Sequence, residues 1–215
     1  MDDGVFKNMK IVLIIEGETE RVFLPYLRKF LETRLEGNML KLVSHKYDGR
    51  IPTKEKLKRV VENHLSRKDA ADFVIALTDV YTDRNNPIFK DAADAKEKMR
   101  LWVGSEPRFF PHTALHDFEA WLLPYWTTIQ KLSGGHNMTC PGNNPETVNH
   151  QKSPAYWIKE IFEKGKCRDS YIKPRDAGRI LRENKDNLLK SINSCSEFKA
   201  FVNTILACCS GKVLP

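Results

Sequence analysis

The sequence contains no run of the roughly 18 apolar residues that a membrane span requires, which excludes a transmembrane helix of ordinary kind. Its opening, MDDGVFKNMK, carries two acids, no apolar stretch before Ile11 and no small-residue cleavage site. No secretory signal is read there, and the expected compartment is the cytoplasm. Cysteine is scarce: five residues at 140, 167, 195, 208 and 209, odd in number and with the last two adjacent. That excludes a secreted disulfide framework and leaves reduced thiols. His136, Cys140 and His150 lack the paired ligand spacing of a zinc site. Also missing are a G-x-x-x-x-G-K-[ST] loop, a G-x-G-x-x-G turn and a G-x-S-x-G elbow, so nucleotide binding or serine hydrolysis by those devices finds no support. There is no internal repeat and no low-complexity tract.

What is present is a chain of 215 residues, 41% hydrophobic and 29% charged, enough for one good core with an appended helical part. The net charge is +7 and the pI about 9.1. The excess gathers in residues 45–59 (Lys46, Arg50, Lys54) and 164–182 (Arg168, Lys173, Arg175). These six are the candidate nucleic-acid contacts, since neutralising phosphates releases condensed counterions. A solvated basic helix face accounts for the same composition.

KIVLIIEG, residues 10–17, is a short apolar run closed by glycine, the pattern of a strand buried on both faces. Val22, Phe23, Leu27, Phe30, Leu31 and Leu35 then recur at helical spacing, with Pro25 expected to kink that helix or confine its regular part to later residues. Residues 40–47 read as a strand. After the Gly49 and Pro52 turn, Thr53 is placed to cap a helix with Leu57, Val60, Val61, His64 and Leu65 on its apolar face. DFVIALTD, residues 72–79, is another buried strand closing on an acid, and residues 108–117 read as a fourth, with FEAWLLPYW opening a helix. Strands alternating with helices give an α/β fold, a Rossmann-like parallel sheet flanked by helices. The expected organisation is an α/β domain at 8–133, a Gly-, Asn- and Pro-rich loop at 134–153, and a C-terminal helical extension at 154–215 packed on the same domain. Within the extension, helices are read at about 154–165, 174–192 and 196–209.

Ligands in open parallel sheets bind outside the carboxyl ends of the strands. Glu16 and Asp79 both stand at such ends, and Glu20 lies one helical turn beyond Glu16 on the same side. Carboxylates crowded together repel unless a cation holds them, and an oxygen-only set suits magnesium, manganese or calcium. Gly17 is read as the residue that lets the backbone turn sharply there. A second reading stands beside this one: Glu18 and Glu20 favour the positive N-terminus of the next helix. His116 and Glu119 likewise read either as site residues or as the entry to a helix with Phe118, Trp121 and Leu122 in the core. Tyr81 could stack on a base or pack at the core edge. Tyr156, Trp157 and Tyr171 interleave with Lys and Arg as in single-strand binders, although Trp157 is spaced with Ile158 and Ile161 as for packing.

The strand running into Glu16-Gly17-x-x-Glu20, followed by a strand ending in Asp79, resembles the TOPRIM fold, and the second glutamate resembles its OLD-type nuclease branch. The chain is similar over nearly its whole length to a small TOPRIM-like family often encoded beside ABC-class ATPases. The matching segments are Asp79-Val80-Tyr81, His116-Asp117-Phe118-Glu119, the Pro145, Glu146, Val148 and Asn149 segment, and Tyr171 with Lys173. One departure is plain: where TOPRIM enzymes carry D-x-D, this chain has Tyr81 at the second acidic position, and Asp83, or Asp117 and Glu119, would supply the missing ligand. The resemblance implies Glu16, Glu20, Asp79, Asp83 and Glu119 as ligands of Mg2+ or Mn2+. Glu16, Glu20, Asp79 and Lys173 become the catalytic set, with Lys173 stabilising charge at phosphorus. It further implies a metal-dependent nuclease, acting on DNA in preference to RNA with an ABC-class ATPase in defence against phage or mobile DNA. The alternatives are a non-catalytic TOPRIM-like module that binds nucleic acid or its partner, and phosphoryl transfer on a small substrate.

Overall fold

A computed structural model of the chain describes residues 8–36, 40–80, 88–147, 152–165 and 170–215. Four parallel strands form one sheet: β1 (Met9–Ile15), β2 (Leu40–Lys46), β3 (Phe73–Asp79) and β4 (Phe109–Ala114), in the order β2-β1-β3-β4. The chain leaves β1 for one neighbour, β2, and returns on its other side as β3. That reversal opens a crevice beyond the carboxyl ends of β1 and β3.

Because successive strand side chains point to opposite faces, β1 feeds two cores. Ile11, Leu13 and Ile15 pack with α1 (Glu18–Glu32) and the C-terminal helices. Val12 and Ile14 pack with α2 (Lys54–Ser66) and α3 (Ala92–Val103). On α1, Phe23, Leu27 and Leu31 are buried at helical spacing. Pro25 sits inside that helix, whose regular part begins at Glu18 and is not confined to the later residues; the cost is the one hydrogen bond its nitrogen cannot donate. Thr53 holds the N-cap position of α2, but its hydroxyl makes no capping bond. Helix α3 was not foreseen, although Asp91 caps it through Asp94 and Ala95, Met99 and Val103 are buried along one face.

Beyond β4 the expected strand to residue 117 stops at Ala114, opposite Asp79, where its partner strand also ends. A cis Leu115–His116 peptide leads into a 3-10 helix, Phe118–Tyr125, and then α4 (Trp126–Leu132). The 134–153 loop holds one 3-10 turn, Pro145–Thr147. Then follow α5 (Pro154–Lys164), α6 (Lys173–Glu183), α7 (Leu188–Ser194) and α8 (Ser196–Cys208). The single helix expected at 174–192 is two, because the backbone turns at Asn184–Asn187, where Asn184 Nδ2 bonds to Ile180 O (2.8 Å). Gly165 is required where α5 ends: a Cβ there would lie 1.6 Å from the Ser133 carbonyl oxygen.

The C-terminal helices share the core under the sheet. Trp121 stacks on Phe198 at 4.2 Å and meets Phe23 at 6.2 Å, joining the 3-10 helix, α8 and α1. His112 of β4 bonds to Thr204 of α8 (2.9 Å). Glu146, 4% exposed, closes the N-terminus of α8 by accepting from Ser196 Oγ (2.8 Å), Glu197 N (3.1 Å) and Phe198 N (3.4 Å). Glu146→Ala strands those donors in the interior and is expected to cost about 2 kcal/mol of stability. Glu146→Gln keeps one acceptor oxygen and about half of that. Urea unfolding of the two variants checks both values. Cys140, Cys195, Cys208 and Cys209 are free thiols. No helix among the described residues is long and apolar enough to cross a membrane.

Candidate active site

A cavity of about 320 Å³ opens in the crevice beyond β1 and β3, lined by Glu16, Glu20, Asp79, Glu119, Lys173 and their neighbours. Its acids come from four segments: the end of β1, the first turn of α1, the end of β3 and the 3-10 helix.

Glu16 folds over the end of β3. One carboxylate oxygen accepts from Thr78 Oγ1 and from the Asp79 backbone N–H (3.2 Å). Burial raises its pKa, resisted by those hydrogen bonds and by the charges of Arg50 and Lys173. Asp79, 8% exposed, is pushed well above the usual carboxylate range, by burial first and then by the charges of Glu16, Glu20, Asp117 and Glu119. Glu20, 6% exposed, is raised to about 7 by burial, with Glu119 and Glu16 adding to it. The three acids of EGETE therefore divide. Glu16, half-buried, and the buried Glu20 line the cavity wall, whereas Glu18, at the cavity but more exposed, pairs with Lys46 (2.7 Å) and Arg21 (2.8 Å).

Gly17 does lie in a bend between β1 and α1, as expected, but in a conformation not reserved for glycine. Its φ of −154° and ψ of −167° are extended backbone that any residue adopts, and a Cβ would meet Glu20 Oε2 at an ordinary 3.5 Å. Its smallness keeps clear space beside that carboxylate.

Glu119, 1% exposed, is held from the far end of the chain: Tyr171 Oη donates to Oε1 (3.3 Å) and Lys173 Nζ to Oε2 (3.0 Å). Burial alone would lower the Lys173 pKa, but the charges of Glu119, Asp117 and Asp79 outweigh it and hold the ammonium above its ordinary value. Asp117, also 1% exposed, accepts from the Ala155 N–H at the start of α5 (3.3 Å), and burial with the nearby Glu119 raises it to about 7. Two segments quoted separately from the sequence, His116-Asp117-Phe118-Glu119 and Tyr171 with Lys173, thus meet in one contact. His116 is buried in the turn before them.

The basic candidates are distributed unevenly. Lys46, with its partners Glu18 and Asp48 (2.5 Å), and Arg50 lie at the β2–α2 side of the cavity, where Gly49 joins the lining. Lys54 opens α2 on the surface, and Arg175 pairs with the buried Asp176 (3.0 Å) of its own helix; neither lines the cavity. Asp83, Tyr81 and Arg168 lie outside the described residues, as do Val148, Asn149, His150 and Cys167. Sequence reading missed Thr78. Its signal was adjacency to Asp79 on a strand paired with β1, which puts a hydroxyl where Glu16 emerges.

As a donor set the cavity suits a hard dication: its candidate ligands are all carboxylate oxygens, mutually repelling and three of them nearly buried. Among the described residues no three acidic, histidine or cysteine side chains stand ready at coordinating distance of one point. Gathering them on an ion takes side-chain rotation within the cavity, with Lys173 giving up Glu119 if that residue joins.

No curated protein matches the sequence. Among solved structures, the C-terminal region of the Burkholderia pseudomallei OLD protein is similar with a TM-score of 0.47 and 13% identity, covering 89% of this chain and 98% of that one. The family model described as "Domain of unknown function (DUF4276)" matches residues 15–206, and the chain belongs to that family.

Proposed function

We propose that this protein is a divalent-cation-dependent nuclease that hydrolyses phosphodiester bonds of nucleic acid, DNA in the first place. The observation that carries this reading is the convergence of Glu16, Glu20, Asp79 and Glu119, from four segments, on one cavity that Lys173 also lines. Glu16, Glu20 and Asp79 would hold Mg2+ or Mn2+, with Glu119 or Asp83 completing the set. Once bound, such an ion polarises a phosphoryl oxygen and makes water a better nucleophile.

The protein's own residues do the rest. Thr78 and the Asp79 N–H fix the Glu16 carboxylate. Glu20, buried in the cavity, would hold a second ion or orient the attacking water. Lys173, raised by its acidic neighbours and so cationic at any working pH, sits against the charge that develops on the phosphate oxygens. Lys46 and Arg50 draw the polyanion toward a cavity that would otherwise repel it. An ABC-class ATPase partner, a cytoplasmic setting and a role against phage or mobile DNA belong to the same proposal; the resemblance of the ordered motifs supports them.

The test is supercoiled plasmid incubated with the protein and manganese, magnesium or EDTA. Relaxed or linear product with metal alone supports the reading, and cleavage that persists in EDTA sinks it. One observation favours a second reading, a non-catalytic binding module: Lys173 already supplies Glu119 with a cation. Binding of plasmid without cleavage, indifferent to metal and to the ATPase, would establish that reading instead.

A further inference from the structure

Helix α5 begins beside the cavity, its Ala155 N–H bonded to Asp117 two residues before Glu119. On its first turn stand two adjacent aromatic side chains, Tyr156, 42% exposed, and Trp157, half-buried, with centroids 5.9 Å apart and planes at 89°. Lys152 holds its ammonium 4.7 Å from the Tyr156 ring centre and 5.2 Å from that of Trp157. Tyr156 belongs to neither of the two buried cores, and its ring is covered by Trp157 and Lys152. The Lys152 ammonium rides on a flexible stem, and at an exposed ring such a contact is weak and readily exchanged.

We propose that Lys152, Tyr156 and Trp157 form a stacking platform for an unpaired base, and that the strand this protein takes is single or locally unwound. On binding, Lys152 leaves the ring for a phosphate and the base takes its place on Tyr156. The exchange conserves a contact for both, and the base–aromatic stack adds about 1–3 kcal/mol regardless of sequence. Ser153 fixes the platform by capping α5 through the Tyr156 N–H (3.4 Å). The Asp117–Ala155 bond ties it to the turn that carries Glu119, a residue of the cavity lining. The platform deepens the nuclease reading and rests on it for the meaning of that position, but the binding step needs no catalysis.

The experiment measures fluorescence anisotropy in EDTA with a labelled oligothymidylate and an abasic strand of equal length and charge. Wild type is expected to prefer the oligothymidylate. Tyr156→Ala should weaken that strand by about 5- to 100-fold, leave the abasic strand unchanged, and thus abolish the preference, whereas Tyr156→Phe keeps it within about twofold. Lys152→Ala should weaken both strands alike and reduce the salt dependence by about one unit of slope. The exposed Tyr156 can be removed without loss of fold, which a thermal melt verifies. Equal binding of the two strands by wild type, no binding of either, or full oligothymidylate affinity in Tyr156→Ala each overturns the platform. Plasmid cleavage read in parallel separates the ideas: cleavage with no base preference removes the platform alone, and base preference with no metal-dependent cleavage removes the nuclease alone.

Discussion

Asp79→Asn and Glu16→Gln are each expected to lower manganese-dependent plasmid nicking by about a thousandfold or more, equivalent to roughly 4 kcal/mol of lost transition-state stabilisation. Both replacements keep the shape of the side chain. The Asp79→Asn variant retains the backbone N–H from which Glu16 accepts, and the Glu16→Gln variant retains an acceptor oxygen for Thr78, so the fold should not pay for the change. What disappears is the negative charge available to a dication. Thr78→Val isolates the supporting role. It leaves every carboxylate in place but frees Glu16 to rotate, and should raise the manganese concentration for half-maximal nicking by about tenfold with a smaller change in the saturated rate. Lys173→Met should lower the saturated rate by about a hundredfold, since the proposed mechanism sets this residue against the phosphate. Initial rates across a manganese titration distinguish the four variants. Full activity in Asp79→Asn would remove the carboxylates from the chemistry.

The second large effect is on stability without metal. Glu20 moves from an ordinary 4.5 to about 7 in the folded protein, and Asp79 rises well above its ordinary 3.8. A carboxyl whose pKa is higher folded than unfolded holds its proton more tightly in the folded state. Its contribution is complete below the unfolded value and is lost as pH rises through the folded one. For Glu20 alone the shift corresponds to something on the order of 3 kcal/mol. The groups facing these two are Glu16 from β1, Asp117 and Glu119 from the 3-10 helix, and Lys173 from α6, whose charge offsets part of the repulsion. Urea midpoints in EDTA should therefore fall between pH 5 and pH 8. Asp79→Asn should be more stable than wild type by about 2 kcal/mol at pH 8 and no more stable at pH 5. Manganese at a hundred times its pH 8 dissociation constant should restore about 2.7 kcal/mol at pH 8, and the same concentration much less at pH 5, where protons compete for the same oxygens. A flat pH profile, or an Asp79→Asn variant weaker than wild type at pH 8, would contradict the crowding on which the site is read.

The strands were legible because burial on both faces forces continuous apolar runs, and Ile11–Ile15 and Phe73–Asp79 have no other use for such runs. Their closing acids followed from the rule that parallel sheets bind ligands at that end. Contacts across long sequence separation were not legible. Nothing local in Tyr171 or Lys173 announces Glu119, which lies more than fifty residues earlier and shares no element with them. Glu146 was noticed as part of a motif, yet its task at α8 depends on Ser196, also about fifty residues away. At Pro25 the buried Phe23 and Leu27 keep the helix going in spite of one missing bond, and at Gly17 the bend is there but the room a glycine leaves matters more than the angles it permits.

Helix α6 brings Lys173, and the segment before it Tyr171, against acids supplied by the first 119 residues. A polypeptide still on the ribosome, or one clipped ahead of Tyr171, thus holds Glu16, Glu20, Asp79 and Glu119 but neither of the two groups that steady Glu119. Losing the chain from Tyr171 onward therefore removes both supports of Glu119 together with the helices that share the core under the sheet, so site and fold are expected to fail together.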